Sequence, residues 1–154
     1  MLKKTLTGLI VALTMPLAAQ SAWKTIEPMG DQLKEIRDTM ATVGTQISPT
    51  DVLIEGPILH QIECNRVRIQ HSKMVSILYK GLHDDFKPIV NGMINQDYFE
   101  MITYIKSDIS FNNDMLVRVS NPYLIQLIMK ADDIYALYLK NIKQLYADSG
   151  LQVF

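Results

Sequence analysis

The chain has 154 residues, 48% of them hydrophobic and 20% charged, with a formal net charge of −1 and one cysteine. That balance excludes a disordered chain and gives one domain enough apolar side chains for a core. It also argues against nucleic acid as a partner, which demands a basic face, and a lone thiol cannot form an internal disulfide.

Residues 1–22, MLKKTLTGLIVALTMPLAAQSA, read as a secretory signal peptide. Lys3 and Lys4 form a positive start. Leu6 to Met15 is an apolar run that ends at Pro16, and the small residues Ala18, Ala19, Ser21 and Ala22 follow. The run falls short of the ~20 apolar residues that span a bilayer. Cleavage is expected near 21/22, where Ala19-Gln20-Ser21 fits the small-x-small rule, or near 22/23, which leaves Trp23 as the new start. No cysteine follows the run to carry a lipid anchor. The two-lysine start and the brevity of the segment point to a bacterium with two membranes, so the expected location is the periplasm. Residues 23–154 are then a single helical domain, and loss of Lys3 and Lys4 takes the formal charge from −1 to −3. No later stretch reaches 18 apolar residues, so no stable membrane insertion is expected after cleavage.

The period beyond the signal is helical nearly throughout. Ile26, Met29, Leu33, Ile36, Met40, Val43 and Ile47 alternate spacings of three and four, a heptad seam, with Pro28 in the first turn. Ser48-Pro49-Thr50-Asp51 restarts the chain with a cap, a proline at the first helical position and a variant capping box. Gly56-Pro57 is expected to end that short turn. A long helix follows from about Pro57 to His83, with Cys64, Val67, His71, Met74, Leu78 and Leu82 on one face and Ile58, Ile62 and Ile69 on another. Two apolar faces predict packing on two sides.

Asp84-Asp85-Phe86-Lys87-Pro88 opens a shorter helix with Ile89, Val90, Met93 and Ile94 inward, interrupted by the turn dipeptide Asn91-Gly92. Asn95-Gln96-Asp97 starts another, striped by Tyr98, Ile102, Ile105, Ile109 and Leu116, with Asn112-Asn113 as a break point. Ser120-Asn121-Pro122 is the strongest helix start in the chain. Its helix carries Leu124, Ile128, Ala131, Tyr135, Tyr138, Ile142 and Leu145 as a second seam and ends at Ser149-Gly150-Leu151. No segment alternates like a strand. The expected fold class is all-α: an antiparallel helical bundle of four main helices plus one or two short ones, after a cleaved N-terminal signal peptide.

His60, Cys64 and His71 share one helix face, since positions i, i+4 and i+11 fall within about 40° at 100° per residue. The two histidines stand about 16 Å apart along the axis, so only His60 and Cys64 can share an ion, and zinc would need further ligands. The same spacing suits a core stripe that includes a buried thiol. In architecture the chain resembles the periplasmic four-helix b-type cytochromes, with Met29 placed like their methionine ligand. Those proteins carry a histidine in the last helix, whereas this chain has none after His83 and no CxxCH motif.

No Glu-x-x-His, G-x-S-x-G or glycine-rich phosphate loop is present. Asp84-Asp85 and Asp132-Asp133 read as acids that cap or solvate helices. No catalytic residue is assigned and no cofactor is expected. Tyr135, Tyr138 and Tyr146 share a face of the last helix and are the candidate partner-binding residues, because tyrosine is enriched at interfaces. The same spacing also suits a core wall whose hydroxyls reach water.

The function expected is that of an exported, non-enzymatic protein binding another envelope protein, with a homodimer also open. Examples are a soluble subunit of a secretion or conjugation apparatus, an immunity protein or a chaperone-like factor. The alternative is a periplasmic bundle that binds a metal, haem or small molecule at His60, Cys64 and His71.

Overall fold

The computed structural model describes residues 17–44 and 46–154. Five helices occur among them: α1 (Leu17–Ile26), α2 (Met29–Val43), α3 (Pro49–Gly81), α4 (Lys87–Leu116) and α5 (Pro122–Asp148), with no strand. The first sixteen residues of the expected signal peptide lie outside the described residues. Both expected cleavage bonds fall inside α1, where Ala22 is buried.

Local chemistry sets most of the helix ends. The Ser48 hydroxyl accepts from the Asp51 N–H (3.1 Å), with Pro49 at the first helical position of α3. The Asn121 side chain accepts from the N–H groups of Tyr123 (2.9 Å) and Leu124 (3.0 Å) to start α5. Past the end of α5, Gly150 takes φ +85°. Its N–H bonds to the Ala147 carbonyl and that of Leu151 to Tyr146, the paired bonds of a Schellman cap. Leu151 is buried there, and the Phe154 N–H donates to Asn95 Oδ1 (3.0 Å), so the tail docks against α4.

Three expected breaks are continuous helix. α3 runs through Gly56-Pro57. Pro57 deprives the Leu53 carbonyl of its helical donor, but Leu53 is 78% exposed, so water replaces that bond. α4 runs through Asn91-Gly92 and Asn112-Asn113. Asn91 Oδ1 accepts from the Tyr79 hydroxyl (2.6 Å), which occupies the side chain that would otherwise compete with the backbone. Asn112 is fully buried and bonded to α5.

Cross-helix pairs fix the packing. Between α2 and α3, Arg37 meets Glu63, Gly30 lies against Gln70, and the Lys73 ammonium donates to the Glu27 carbonyl just before α2 (3.2 Å). Between α3 and α4, Tyr79 meets Asn91, His71 meets Asp97 (3.1 Å) and Asn65 meets Asp108 (2.9 Å). Between α4 and α5, Tyr98 packs on Tyr146, Met101 meets Tyr138 and Asn112 meets Asp132. In each set, residue numbers rise along one helix as they fall along the next. α5 packs on all four other helices.

The core follows the two predicted seams. Ile26, Met29, Leu33, Ile36 and Met40 are buried, as are Leu124, Ile128, Ala131, Tyr135, Tyr138, Ile142 and Leu145. In α3 the prediction of two packed faces needs correction. Ile58, Ile62 and Ile69 are buried, but Val67, Met74 and Leu78 are 52%, 54% and 65% exposed. The inward seam of α3 is Ile58, Ile62, Asn65, Ile69, Ser72, Ser76 and Tyr79, and the small polar members let α3 approach α5, where the Ser76 hydroxyl reaches the Leu145 carbonyl (3.4 Å).

Glu55 is buried against Gly44, and a Cβ at Gly44 would stand 2.3 Å from Glu55 Oε2. Gly44→Ala is therefore expected to cost about 1–2 kcal/mol through forced movement of a buried carboxylate. On a Glu55→Ala background the same change should cost almost nothing. A double-mutant cycle by urea unfolding checks this, and equal costs on both backgrounds would refute the clash.

Candidate functional site

The structure buries the three tyrosines. Tyr135, Tyr138 and Tyr146 have no exposed surface. A partner needs exposed atoms to touch, so their assignment as a partner-binding surface is corrected: they are core residues. Their position follows from the seam, where 135, 138 and 142 alternate three and four, and from the volume a tyrosine fills at the centre of packed helices. The Tyr138 hydroxyl donates to the Met101 sulfur (3.0 Å), and the Tyr135 and Tyr146 hydroxyls have no hydrogen-bond partner among the described residues. Burial holds all three phenols well above their ordinary range.

His60, Cys64 and His71 lie along the outer groove between α3 and α4, not in a core stripe. His60 Nε2 is 3.6 Å from the Cys64 sulfur. His71 is drawn away to Asp97 across the groove (3.1 Å). The sequence face thus splits into a His60–Cys64 contact and a His71–Asp97 pair. Among the described residues, no three His, Cys, Asp or Glu side chains are grouped to hold a metal ion.

The groove has a charged middle and an apolar end. In the middle, the Arg68 guanidinium lies over the Tyr104 ring (4.9 Å to the centroid), 2.6 Å from Asn65 Oδ1 and 3.6 Å from Asp108. A hollow of about 240 Å³ there is lined by Val67, Arg68, His71, Asp97, Glu100 and Tyr104, with Met101 at its floor. Towards the turn joining the helices, Met74 and Leu78 of α3 stand one helical turn apart, as do Ile89 and Met93 of α4. The Tyr79–Asn91 and His71–Asp97 contacts tie these two stretches together. Each of the four side chains is more than half exposed, and Phe86 in the turn is 56% exposed.

Behind the groove runs a polar layer. Asn65, Asn112 and Tyr135 are fully buried. Asn65 Nδ2 donates to Asp108 (2.9 Å), and Asn112 Nδ2 donates to Asp132 (2.6 Å). The Asn112 Oδ1 atom and the Tyr135 hydroxyl, both buried, have no hydrogen-bond partner among the described residues. Burial, helped by the nearby Asp133 and Asp108 charges, pushes the Asp132 carboxyl up to about 6 against the pull of Asn112. Burial also raises Asp108, opposed by Asn65 and Arg68. Sequence reasoning assigned Asp132-Asp133 to solvent and Asn112 to a break. The missed signal was a polar residue on a seam: Asn65 sits between Ile62 and Ile69 at the spacing of inward positions.

Two further clefts, of about 660 and 410 Å³, lie side by side along α2 and α5 and share Glu35, Thr39 and Tyr123. The larger is walled mostly by charged and threonine side chains, the composition of a solvated helix face, and the smaller also takes in Ile36, Leu127 and Ile134. Among the described residues, no helix is long and apolar enough to cross a membrane. No family model matches the chain, and no curated protein or solved structure is found to match it.

Proposed function

We propose that this chain is an exported, periplasmic protein, folded as an antiparallel helical bundle, that acts by binding another protein of the cell envelope and not by catalysis. The signal-like segment at residues 1–22 supports the location. One observation carries the binding role: the exposed apolar end of the α3–α4 groove, formed by Met74, Leu78, Ile89 and Met93 with Phe86 beside it. Contiguous exposed apolar side chains beside a polar groove mark interaction surfaces. Methionine suits such a surface because its flexible thioether adapts to a partner. A soluble subunit of a secretion or conjugation apparatus, an immunity protein and a chaperone-like factor are the roles this reading covers.

The test is a paired capture from the periplasm of the native host, with the unmodified chain and with Leu78→Lys/Met93→Lys as baits. Both substitutions are at exposed positions and should each shift stability by no more than about 0.5 kcal/mol. The expected result is a defined partner retained by the first bait and lost from the second, with the protein itself in the periplasmic fraction. Equal recovery on both baits would remove this face, and retention of residues 1–22 in a cytosolic protein would remove the location.

A further inference from the structure

We propose that the layer formed by Asn65, Asp108, Asn112, Asp132 and Tyr135 is a proton-operated latch that holds α4 more tightly on α5 when Asp132 carries a proton. This goes beyond the binding role proposed above and does not depend on it.

The geometry places the charge poorly and the proton well. Asp132 faces α4 through Asn112 (2.6 Å). The charged groups around it are mainly of its own sign: Asp133 on α5 and Asp108 on α4. Arg68 of α3 is committed to Asn65 and Asp108 (2.6 and 3.6 Å), and His60 of α3 also acts on Asp108. α2 brings Glu35, which shares a cleft with Asp133 and Lys130, and α1 brings the exposed Lys24. Ionised Asp132 therefore sits half-buried among carboxylates, with a neutral amide as its bonded partner.

The carboxylate accepts from the Asn112 amide nitrogen (2.6 Å). When a proton from solvent adds to the other carboxylate oxygen, Asp132 becomes a donor as well, and Asn112 Oδ1, buried and without a partner among the described residues, is the acceptor the amide offers it, so that acid and amide pair reciprocally. Proton uptake thus removes a like-charge repulsion and satisfies an orphan acceptor at one bond between α4 and α5. The carboxyl pushed up to about 6 by burial agrees with this. A raised carboxyl binds its proton more tightly in the folded chain than in the unfolded one. Folding therefore gains from this group as pH falls through about 6, and loses that gain as pH rises above it.

The test compares thermal unfolding of the full chain and of Asp132→Asn between pH 3.5 and 7.5. Asparagine mimics the neutral carboxyl, so the two should converge as pH falls below the ordinary carboxyl value of 3.8. The variant should gain on the unmodified chain with rising pH, reaching an excess of about 5 °C at pH 7.5. A difference independent of pH would overturn the latch. Carboxyl carbon NMR of the unmodified protein decides the matter if the variant fails to fold. A midpoint for Asp132 near 6, with stronger hydrogen-exchange protection of the α4 amides from Asp108 to Leu116 below it, supports the proposal. A midpoint near 4, or protection that ignores pH, rejects it.

Discussion

Tyr138→Ala is expected to remove about 3–5 kcal/mol of stability, the range for emptying a core site of an aromatic ring. Tyr138 has no exposed surface and spends its hydroxyl on the Met101 sulfur at 3.0 Å, so truncation loses the ring contacts and strands nothing that water can reach. Domains of this size have about 5–15 kcal/mol in total, so the variant should lose a large share of its stability. Urea unfolding followed by circular dichroism measures it. Tyr123→Ala is the internal control: Tyr123 is 47% exposed, and its loss should stay within about 0.5 kcal/mol. A Tyr138→Ala protein as stable as the control would mean that α5 does not present this face to the core.

Asp51→Ala should be the next most damaging change. Asp51 is 1% exposed, and its carboxylate accepts from the Ser120 N–H (2.9 Å), the Ser120 hydroxyl (2.7 Å) and the Asn121 N–H (3.1 Å). The sequence suggested a capping box closing on Ser48. Only the Ser48 half forms, and the carboxylate instead clamps the start of α3 to the start of α5. Alanine removes the acceptor shared by three donors on the exposed Ser120 and the half-buried Asn121, and the expected result is a melting temperature lower by about 3–6 °C.

The pH dependence has a definite sign. The Ser120 N–H and then the Ser120 hydroxyl hold the Asp51 carboxyl below its ordinary value, against the opposing effect of burial. The contribution is therefore fully present above the ordinary carboxylate range and is lost as pH falls through the depressed folded value. Melts from pH 7 downward should show the gap between variant and unmodified protein closing at the acid end. A gap that widens there would refute the clamp.

The first and last seams were legible because their inward positions are almost all large and apolar. Ile26 to Met40, and Leu124 to Leu145, announce their faces without help from any neighbour. α3 was misread because its inward face carries Asn65, Ser72 and Ser76 while its outward face carries Val67, Met74 and Leu78. A hydrophobicity pattern gives the wrong answer wherever small polar side chains allow close helix approach and apolar ones are left outside. The breaks at Pro57 and Gly92 failed for a related reason. Local preference against helix amounts to about 1 kcal/mol for glycine and 3 for proline, and the packing of a helix of 30 or more residues outweighs it. The polar layer stayed hidden because its members come from three helices. Asn65, Asp108 and Asp132 are 43 and 24 residues apart in the chain, and no local window contains them together.

The position of α5 in the chain has a kinetic consequence. Among the described residues it touches every other helix, and it follows all of them in the chain. Until it emerges, α1 and α2 lack the wall against which Ile26, Met29 and Leu33 are buried, and the α3–α4 hairpin has only half of its inner surface covered. Its docking joins α5 to α1 across about a hundred residues of chain, a gap that only the α2–α3 and α3–α4 pairings shorten. Such non-local contacts slow folding. Without α5 the other helices should form only transiently and without a closed core, and the chain should commit to its structure in the single event of α5 docking.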